Sequence, residues 1–178
     1  MTTVLFRSAP ARASRTGAEP DPPARMGPRL RALLELCPPE GPVADIGSGH
    51  GRLALELKRQ DPARPVFATE ISPGPQAELR RLLGPGSGVQ ILVGEGLEPI
   101  AGLGCHGVVV AGMGGGRIAR MLERDRQVAG QLEWLLLQPA QRAERLRDWL
   151  QAEGWRWWAH HEVREKAHLY KVFLVAPR

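Results

Sequence analysis

The sequence predicts an α/β fold in which a doubly wound, mostly parallel sheet of seven strands lies between layers of helices. Short apolar runs alternate with amphipathic runs along the chain, which is the pattern of consecutive strand–helix units. The last two apolar runs follow each other with no helical segment between them, so we expect them to form an antiparallel C-terminal hairpin. With 178 residues, of which 43% are hydrophobic, the chain suits one domain with a full core.

The N-terminal residues differ in composition from the rest. Residues 1–25 are rich in Pro, Ala, Arg and Ser and have neither a helical nor an alternating period, which is typical of a disordered arm. We therefore expect a single folded domain over residues 26–178. Met26 stands at the change of composition, so translation is expected to start at either Met1 or Met26.

The pattern of apolar residues places each element in order. Leu30, Leu33 and Leu34 share one face of a first helix over 29–37, which the prolines at 38 and 39 end and which we expect to cover one edge of the sheet. Strands are predicted at 43–46, 65–71, 89–93, 107–111, 132–137, 156–163 and 168–175. Further helices are predicted at 51–60, 75–83, 115–124 and 141–153.

The charge balance is basic, with a formal net charge of +5 and a pI near 10.0. This favours a polyanionic partner such as RNA, although a preference for arginine codons would give the same balance. Arg117, Arg120 and Arg124 have the spacing that places them on one face of the helix predicted at 115–124.

Cysteine usage and hydropathy bear on location. Cys37 and Cys105 lie far apart and outside any Cys/His cluster, so we expect no metal site and interpret both as small buried hydrophobic residues in a reducing cytoplasm. No apolar run has the length of a membrane span, and the first 25 residues lack a secretory signal core. We expect a soluble, cytoplasmic protein with no membrane contact.

A glycine-rich loop follows the first strand. Asp45 ends the apolar run, and small residues at 47, 49 and 51 let the backbone turn sharply and approach a ligand closely. The position where a dinucleotide-binding loop needs its third glycine holds Arg52, which argues against an NAD-linked oxidoreductase. Glu70 ends the second strand 19 residues after Gly51, at the position of an acid that accepts ribose hydroxyl protons.

Two later segments complete the candidate site. The cluster Ala111–Gly116 follows the fourth strand, at the edge where an open α/β sheet binds its ligands. Met113 offers an apolar wall there, or is core filling. Gln138 ends the fifth strand before Pro139, and its amide either reads the edge of a base or caps the strand.

These motifs resemble a known family. The pattern D-x-G-x-G-x-G resembles motif I of the class I S-adenosylmethionine (SAM) methyltransferases. Over about residues 29–175, the order D-I-G-S-x-H, G-E-G-L, A-G-M-G-G and L-Q-P resembles the bacterial tRNA (adenine-22-N1)-methyltransferase family. The resemblance implies a Rossmann-like seven-stranded fold, SAM as cofactor, tRNA as partner and methyl transfer to N1 of an adenine. It also implies that Glu95 binds the adenine amino group of SAM.

The resemblance, together with the loops above, implies two sets of site residues. The cofactor-binding set is Asp45, Gly47, Ser48, Gly49, His50, Glu70, Ile71, Gly94, Glu95, Gly96, Leu97, Ala111, Gly112, Met113 and Gly114. The catalytic candidates are Met113, Gln138 and His50, of which His50 either orients the base or caps the loop.

Three departures from the family bear on the acceptor. Family members usually carry D-H-A-Y-L after D-I-G-S, where this chain has Gly49-His50-Gly51-Arg52-Leu53. They usually have Asn where this chain has Ala140, and they continue into a C-terminal helical region that we expect this domain to lack. A small-molecule SAM-dependent methyltransferase and a SAM-binding protein without methyl transfer therefore stay as alternatives. The sequence assigns no oligomeric state.

Overall fold

The computed structural model describes residues 26–178, so the arm predicted over residues 1–25 lies outside the described residues. The strands are β1 (Val43–Ile46), β2 (Val66–Glu70), β3 (Val89–Val93), β4 (Gly107–Ala111), β5 (Trp134–Gln138), β6 (Arg156–Glu165) and β7 (His168–Ala176). The helices are α1 (Pro28–Leu36), α2 (Arg52–Gln60), α3 (Pro73–Leu83), α4 (Gly115–Arg124), α5 (Arg126–Ala129) and α6 (Ala143–Ala152).

The seven strands form one sheet in the order β3-β2-β1-β4-β5-β7-β6. The first five are mutually parallel, and β7 is antiparallel to both β5 and β6. This confirms the predicted α/β sheet and its C-terminal hairpin. The short helix α5 was not predicted, because four residues give too little periodicity to recognise.

Helices cover both faces of the sheet. On one face, α4 and α6 bury side chains such as Ile118 and Leu146 against β4 and β5. On the other face, α2 and α3 pack Leu57 and Leu79 against β1 and β2. Helix α1 lies on this second face, against α2 and against β6 and β7 at one edge of the sheet.

This topology fixes where a ligand site can lie. The order of the strands reverses between β1 and β4, because β1 leads to β2 on one side and β4 leads to β5 on the other. Open α/β sheets bind ligands outside the carboxyl ends of the strands at such a switch point. The loops after β1, β2, β3 and β4 all meet there.

Candidate cofactor site

A pocket of about 190 Å³ opens at the carboxyl ends of β1 to β4. Its lining residues come from the four loops that the topology brings together. They are Ile46, Gly47, Thr69, Glu70, Ile71, Ser72, Gly94, Glu95, Gly96, Ala111, Gly112, Met113 and Arg117.

The loop after β1 approaches the rest of the pocket closely at Gly47. A Cβ atom there would lie 2.5 Å from Cε of Met113, which is too close for any side chain to fit without a shift. The Gly47 N–H donates to the Thr69 hydroxyl at 3.2 Å, and the Ser48 N–H donates to the Thr69 carbonyl at 2.8 Å. Gly47 therefore lets the β1 loop lie against both β2 and Met113.

Asp45 and Ser48 support this loop from below rather than lining the pocket. Asp45 is 4% exposed, and its Oδ2 accepts a hydrogen bond from the Ser48 hydroxyl at 2.6 Å. Burial raises the pKa of Asp45 to about 6, and the Ser48 hydrogen bond opposes that rise. Both residues hold the loop in shape, and their contact with the cofactor stays a prediction.

Glu70 lines the pocket, and three backbone amides hold its carboxylate. Oε1 accepts from the N–H groups of Ile71 and Ser72 at 2.9 and 3.0 Å, and Oε2 accepts from the Gly49 N–H at 3.3 Å. A carboxylate offers about four lone-pair positions, so one position on Oε2 is left for a ligand. Glu70 is thus placed to accept a hydrogen bond from a ligand hydroxyl group, and its contact with the ribose stays a prediction.

The loop after β3 contributes Gly94, Glu95 and Gly96 to the pocket. The Glu95 carboxylate is exposed and pairs with Nη1 of Arg124 at 3.0 Å. Leu97 was predicted to join this set, but its side chain is fully buried in the core. Its N–H donates instead to Oδ2 of Asp125 at 2.8 Å, so Leu97 anchors the loop without contacting the pocket.

The loop after β4 forms one wall through Ala111, Gly112 and Met113. Gly114 was predicted to belong to it, but it lies outside the lining and precedes the first residue of α4. A Cβ atom on Gly114 would be 3.6 Å from its nearest neighbour, Nε2 of Gln141, which is an ordinary contact. A small side chain at position 114 therefore has room, and cofactor binding by Gly114 stays a prediction.

Comparison with known proteins places this arrangement in a family. A family model described as a methyltransferase domain matches residues 26–173. The chain belongs to this methyltransferase family. The tRNA (adenine(22)-N(1))-methyltransferase of Bacillus subtilis (strain 168) is 31% identical over 154 residues, which are 85% of this chain and 65% of the relative. The chain thus spans less than two thirds of that relative's length.

Solved structures resemble the methyltransferase domain closely. The crystal structure of the B. subtilis M1A22 tRNA methyltransferase has a TM-score of 0.78 at 30% identity, covering 86% of this chain and 67% of that one. A Streptococcus pneumoniae structure in complex with S-adenosyl-L-methionine has a TM-score of 0.79 at 27% identity, covering 84% of this chain and 72% of that one. These similarities confirm the resemblance that the sequence motifs indicate.

Two predicted catalytic residues of the methyltransferase domain lie outside the pocket lining. The His50 side chain is 74% exposed and forms an ion pair with Glu78 of α3. Gln138 is fully buried, and its oxygen accepts hydrogen bonds from Arg29 and from the Gly112 N–H. Gln138 cannot present its amide to a base in this arrangement, because the packed core encloses it. Met113 is the catalytic candidate that does line the pocket.

A second groove, of about 510 Å³, adjoins the pocket of the methyltransferase domain. It shares Glu95, Gly96, Met113 and Arg117 with the pocket and continues along α4. The predicted arginine face lines it, but Arg124 is paired with Asp125 at 2.7 Å as well as with Glu95. Within residues 26–178, Arg117 and Arg120 form no ion pair, so two arginines rather than three offer their charge to a ligand.

Four residues of the site were not predicted from the sequence: Ile46, Thr69 and Ser72, which line the pocket, and Arg29, which lies behind it. Ile46 is the last residue of β1, next to the predicted Gly47. Thr69 and Ser72 flank the Glu70–Ile71 pair that was predicted, so their signal was proximity to the end of β2. Arg29 carries no motif of its own at the start of α1. Its neighbours come from distant parts of the chain, which only the fold reveals.

No metal chemistry is evident in the part of the chain that the structure describes. Within residues 26–178, no three His, Cys, Asp or Glu side chains group closely enough to hold a metal ion. Cys37 is buried as predicted, whereas Cys105 is only half-buried. Burial raises the pKa of both thiols to about 11, so both stay neutral. None of the helices in this range combines the length and apolar character that crossing a membrane requires.

Proposed function

We propose that this methyltransferase domain binds SAM and transfers its methyl group to N1 of an adenine in tRNA. The observation that carries the proposal is the Glu70 carboxylate, held by three amides at the edge of a glycine-walled pocket at the switch point of the sheet. The S. pneumoniae structure in complex with S-adenosyl-L-methionine supports SAM as the ligand. The name of the B. subtilis relative supports the acceptor.

The lining residues fit the parts of SAM. Glu70 has one acceptor position for a ribose hydroxyl, and the Gly94–Glu95 segment lies beside it for the adenine. The methionine portion of SAM can lie against the backbone of Gly47 and Gly112 and against the apolar wall of Met113. When bound, SAM supplies a methyl group on a positively charged sulfur, which an aligned nucleophile can displace.

The carboxylates of the pocket suit an acceptor that needs no general base. Glu70 and Glu95 are the carboxylates among the lining residues; amides hold the first, and Arg124 pairs with the second. A hydroxyl or carbon acceptor must lose a proton as it is methylated, whereas adenine N1 already carries a free lone pair. Positioning of the base can then supply much of the acceleration.

The basic groove suits an RNA strand. Arg117 lines both the pocket and the groove, and Arg120 follows one turn along α4. Their unpaired guanidinium groups can contact phosphates while a base enters the pocket. Adenine N1 lies on the Watson–Crick edge, so the target must be unpaired or flipped out of a duplex. With tRNA as substrate, the compartment we propose is the cytoplasm.

A SAM-binding protein without methyl transfer is the second candidate. The buried state of Gln138 favours it, because the residue expected to read a base is enclosed in the core, where both its amide oxygen and its amide nitrogen form hydrogen bonds. Retained SAM affinity without transfer to RNA would support this candidate over the first.

One experiment separates these candidates. The protein is incubated with labelled SAM and unmodified total tRNA, and the RNA is then digested to nucleosides. We expect label in N1-methyladenosine, and less label when Glu70→Ala protein is used at the same subsaturating SAM concentration. Label in another nucleoside would change the acceptor, and SAM binding with no transfer to RNA would support the second candidate.

A further inference from the structure

A single buried amide joins three parts of the fold behind the Gly112 wall of the pocket: α1, the loop after β4 and the end of β5. Gln138, the last residue of β5, is fully buried. Its Oε1 accepts from Nη1 of Arg29 at 2.7 Å and from the Gly112 N–H at 3.2 Å, and its Nε2 donates to the Pro139 carbonyl at 2.8 Å. The Gly112 N–H also donates to the backbone carbonyl of Gln138 at 3.0 Å, so the backbone and the side chain of Gln138 both hold the Gly112 N–H.

The C-terminal hairpin holds Arg29 in place. Arg29 lies in the first turn of α1, and its Nε is 3.6 Å from Oε2 of Glu165 at the end of β6. Its guanidinium carbon lies 5.5 Å from the centre of the Tyr170 ring in β7. The position of the guanidinium is therefore set by two strands that do not line the pocket.

This contact fixes the orientation of the Gln138 amide. A guanidinium group has only donors, so the Gln138 oxygen must face Arg29 and the NH2 group must face away. The same oxygen then faces the Gly112 N–H. If the amide turned over, two pairs of donors would face each other in a buried environment, which is strongly unfavourable. Arg29 thus determines whether the Gln138 side chain adds to the backbone hydrogen bond that holds Gly112 or opposes it.

We propose that Arg29 is a positioning residue for methyl transfer, acting through Gln138 on the Gly112 wall. The inference rests on the proposed function. Gly112 and Met113 line the pocket, whereas the Glu70 contacts that would bind the SAM ribose lie on its opposite side, after β2. A displaced Gly112 wall therefore affects the alignment of acceptor and methyl group more than it affects cofactor affinity. A misplacement of about 1 Å can lower a reaction rate by about 100-fold.

The test compares Arg29→Met, which removes the donors, with Arg29→Lys, which keeps a charged donor. Arg31→Met, on the same helix and exposed, is the matched control. Three quantities are measured: the SAM dissociation constant by calorimetry, the single-turnover rate of tRNA methylation at saturating SAM, and amide hydrogen exchange at Gly112 by NMR.

We expect Arg29→Met to lower the single-turnover rate by about 10- to 100-fold and to speed exchange at Gly112 by about tenfold, with SAM affinity within about threefold of the parent. Arg29→Lys should restore most of the methylation rate and most of the slow exchange at Gly112. Arg31→Met should match the parent in both quantities. The proposal is overturned if folded Arg29→Met protein keeps the parent's rate and exchange. It is also overturned if Lys rescues neither quantity, or if the rate falls only in proportion to SAM binding.

Hydrogen exchange separates this proposal from the proposed function, because it requires no reaction. A parent protein that never methylates tRNA, but whose Gly112 exchange responds to Arg29→Met and is rescued by Lys, would contradict the proposed function and support the link from Arg29 to Gly112. A parent protein that methylates tRNA, but whose methylation rate and Gly112 exchange are both unchanged by Arg29→Met, would support the proposed function and contradict the link from Arg29 to Gly112.

Discussion

The Glu70 carboxylate offers the sharpest test of the cofactor site, because a single atom can be changed. Glu70→Gln keeps the shape of the side chain and replaces one oxygen with an NH2 group. The glutamine keeps the most hydrogen bonds when its oxygen takes the Oε1 position, where the Ile71 and Ser72 amides donate. The NH2 group then faces the Gly49 N–H, which loses its acceptor.

The structure separates the cost to stability from the cost to binding. Leaving the part-buried Gly49 N–H without an acceptor should lower the free energy of unfolding by about 1–2 kcal/mol. That loss is present with and without ligand. Binding loses the acceptor for the ribose hydroxyl, because an NH2 group replaces the free Oε2, and this should cost about 1–3 kcal/mol, which raises the SAM dissociation constant by about 5- to 150-fold.

Calorimetry gives the SAM affinity and urea unfolding gives the stability. Glu40→Gln is the matched control, because it removes the same charge from an exposed side chain away from the pocket and should change neither quantity. If Glu70→Gln protein is destabilised as expected but binds SAM within twofold of the parent, Glu70 does not hold the ribose. If its stability is also unchanged, the three amide contacts contribute nothing to holding the loop.

Changing Arg117 and Arg120 together to Ala should weaken tRNA binding and flatten the dependence of log K on log salt by up to about 2 units, as measured by filter binding over a salt series. Gly112→Val should weaken SAM binding in calorimetry, because φ is +78° there and a side chain would enter the pocket, whereas Gly114→Ala should change affinity by under about twofold. Asp45→Asn should change the pH dependence of stability. The folded-state pKa of Asp45 is raised from 3.8 to about 6, so the parent loses up to about 3 kcal/mol of stability as the pH rises from 4 to above 6. Urea unfolding over this pH range should show no such loss of stability for Asp45→Asn.

Controls and contrary results are available for each of these changes. Arg59→Ala with Arg81→Ala removes two charges from the last turns of α2 and α3, at the opposite edge of the sheet, and should leave the salt slope intact. A slope that falls equally in both double variants would mean that the groove has no special role. Equal SAM affinities for the two glycine variants would place the reaction centre elsewhere, and parallel stability curves for parent and Asp45→Asn would show that Asp45 titrates normally.

The sequence predicted the sheet and the cofactor half of the site because both depend on local patterns. Apolar runs of four to five residues identify buried strands, and acids or glycines at their carboxyl ends identify the loops. Since parallel strands bring those ends to one edge, Gly47, Glu70 and Gly112 could be placed together without knowing any contact. The structure puts all three in the pocket lining.

The direction of single side chains could not be predicted in the same way. Leu97 and Gln138 stand next to pocket loops in sequence, but tertiary packing turns both into the core. The partner that explains Gln138 is Arg29, which lies 109 residues away along the chain. Glu95 and Arg124 are likewise 29 residues apart, and their contact decides how much charge the groove keeps. Such contacts depend on the packed fold rather than on any local period.

The departures at 49, 52 and 140 fall outside the pocket lining, so they spare the cofactor half of the site. Backbone amides and glycines build the cofactor half, whereas a carboxylate at position 49 would act through its side chain. The fold does not forbid one, because a Cβ atom on Gly49 would meet nothing within 4 Å, and Asp tolerates a φ of +56° better than most residues. Packing therefore does not require glycine at position 49. Adenine N1 carries its own lone pair, so the reaction needs no carboxylate at position 49 to take a proton. The group that is missing at position 49 is one that could orient the base. The cofactor half can therefore stay intact while position 49 alters which base is held and how well.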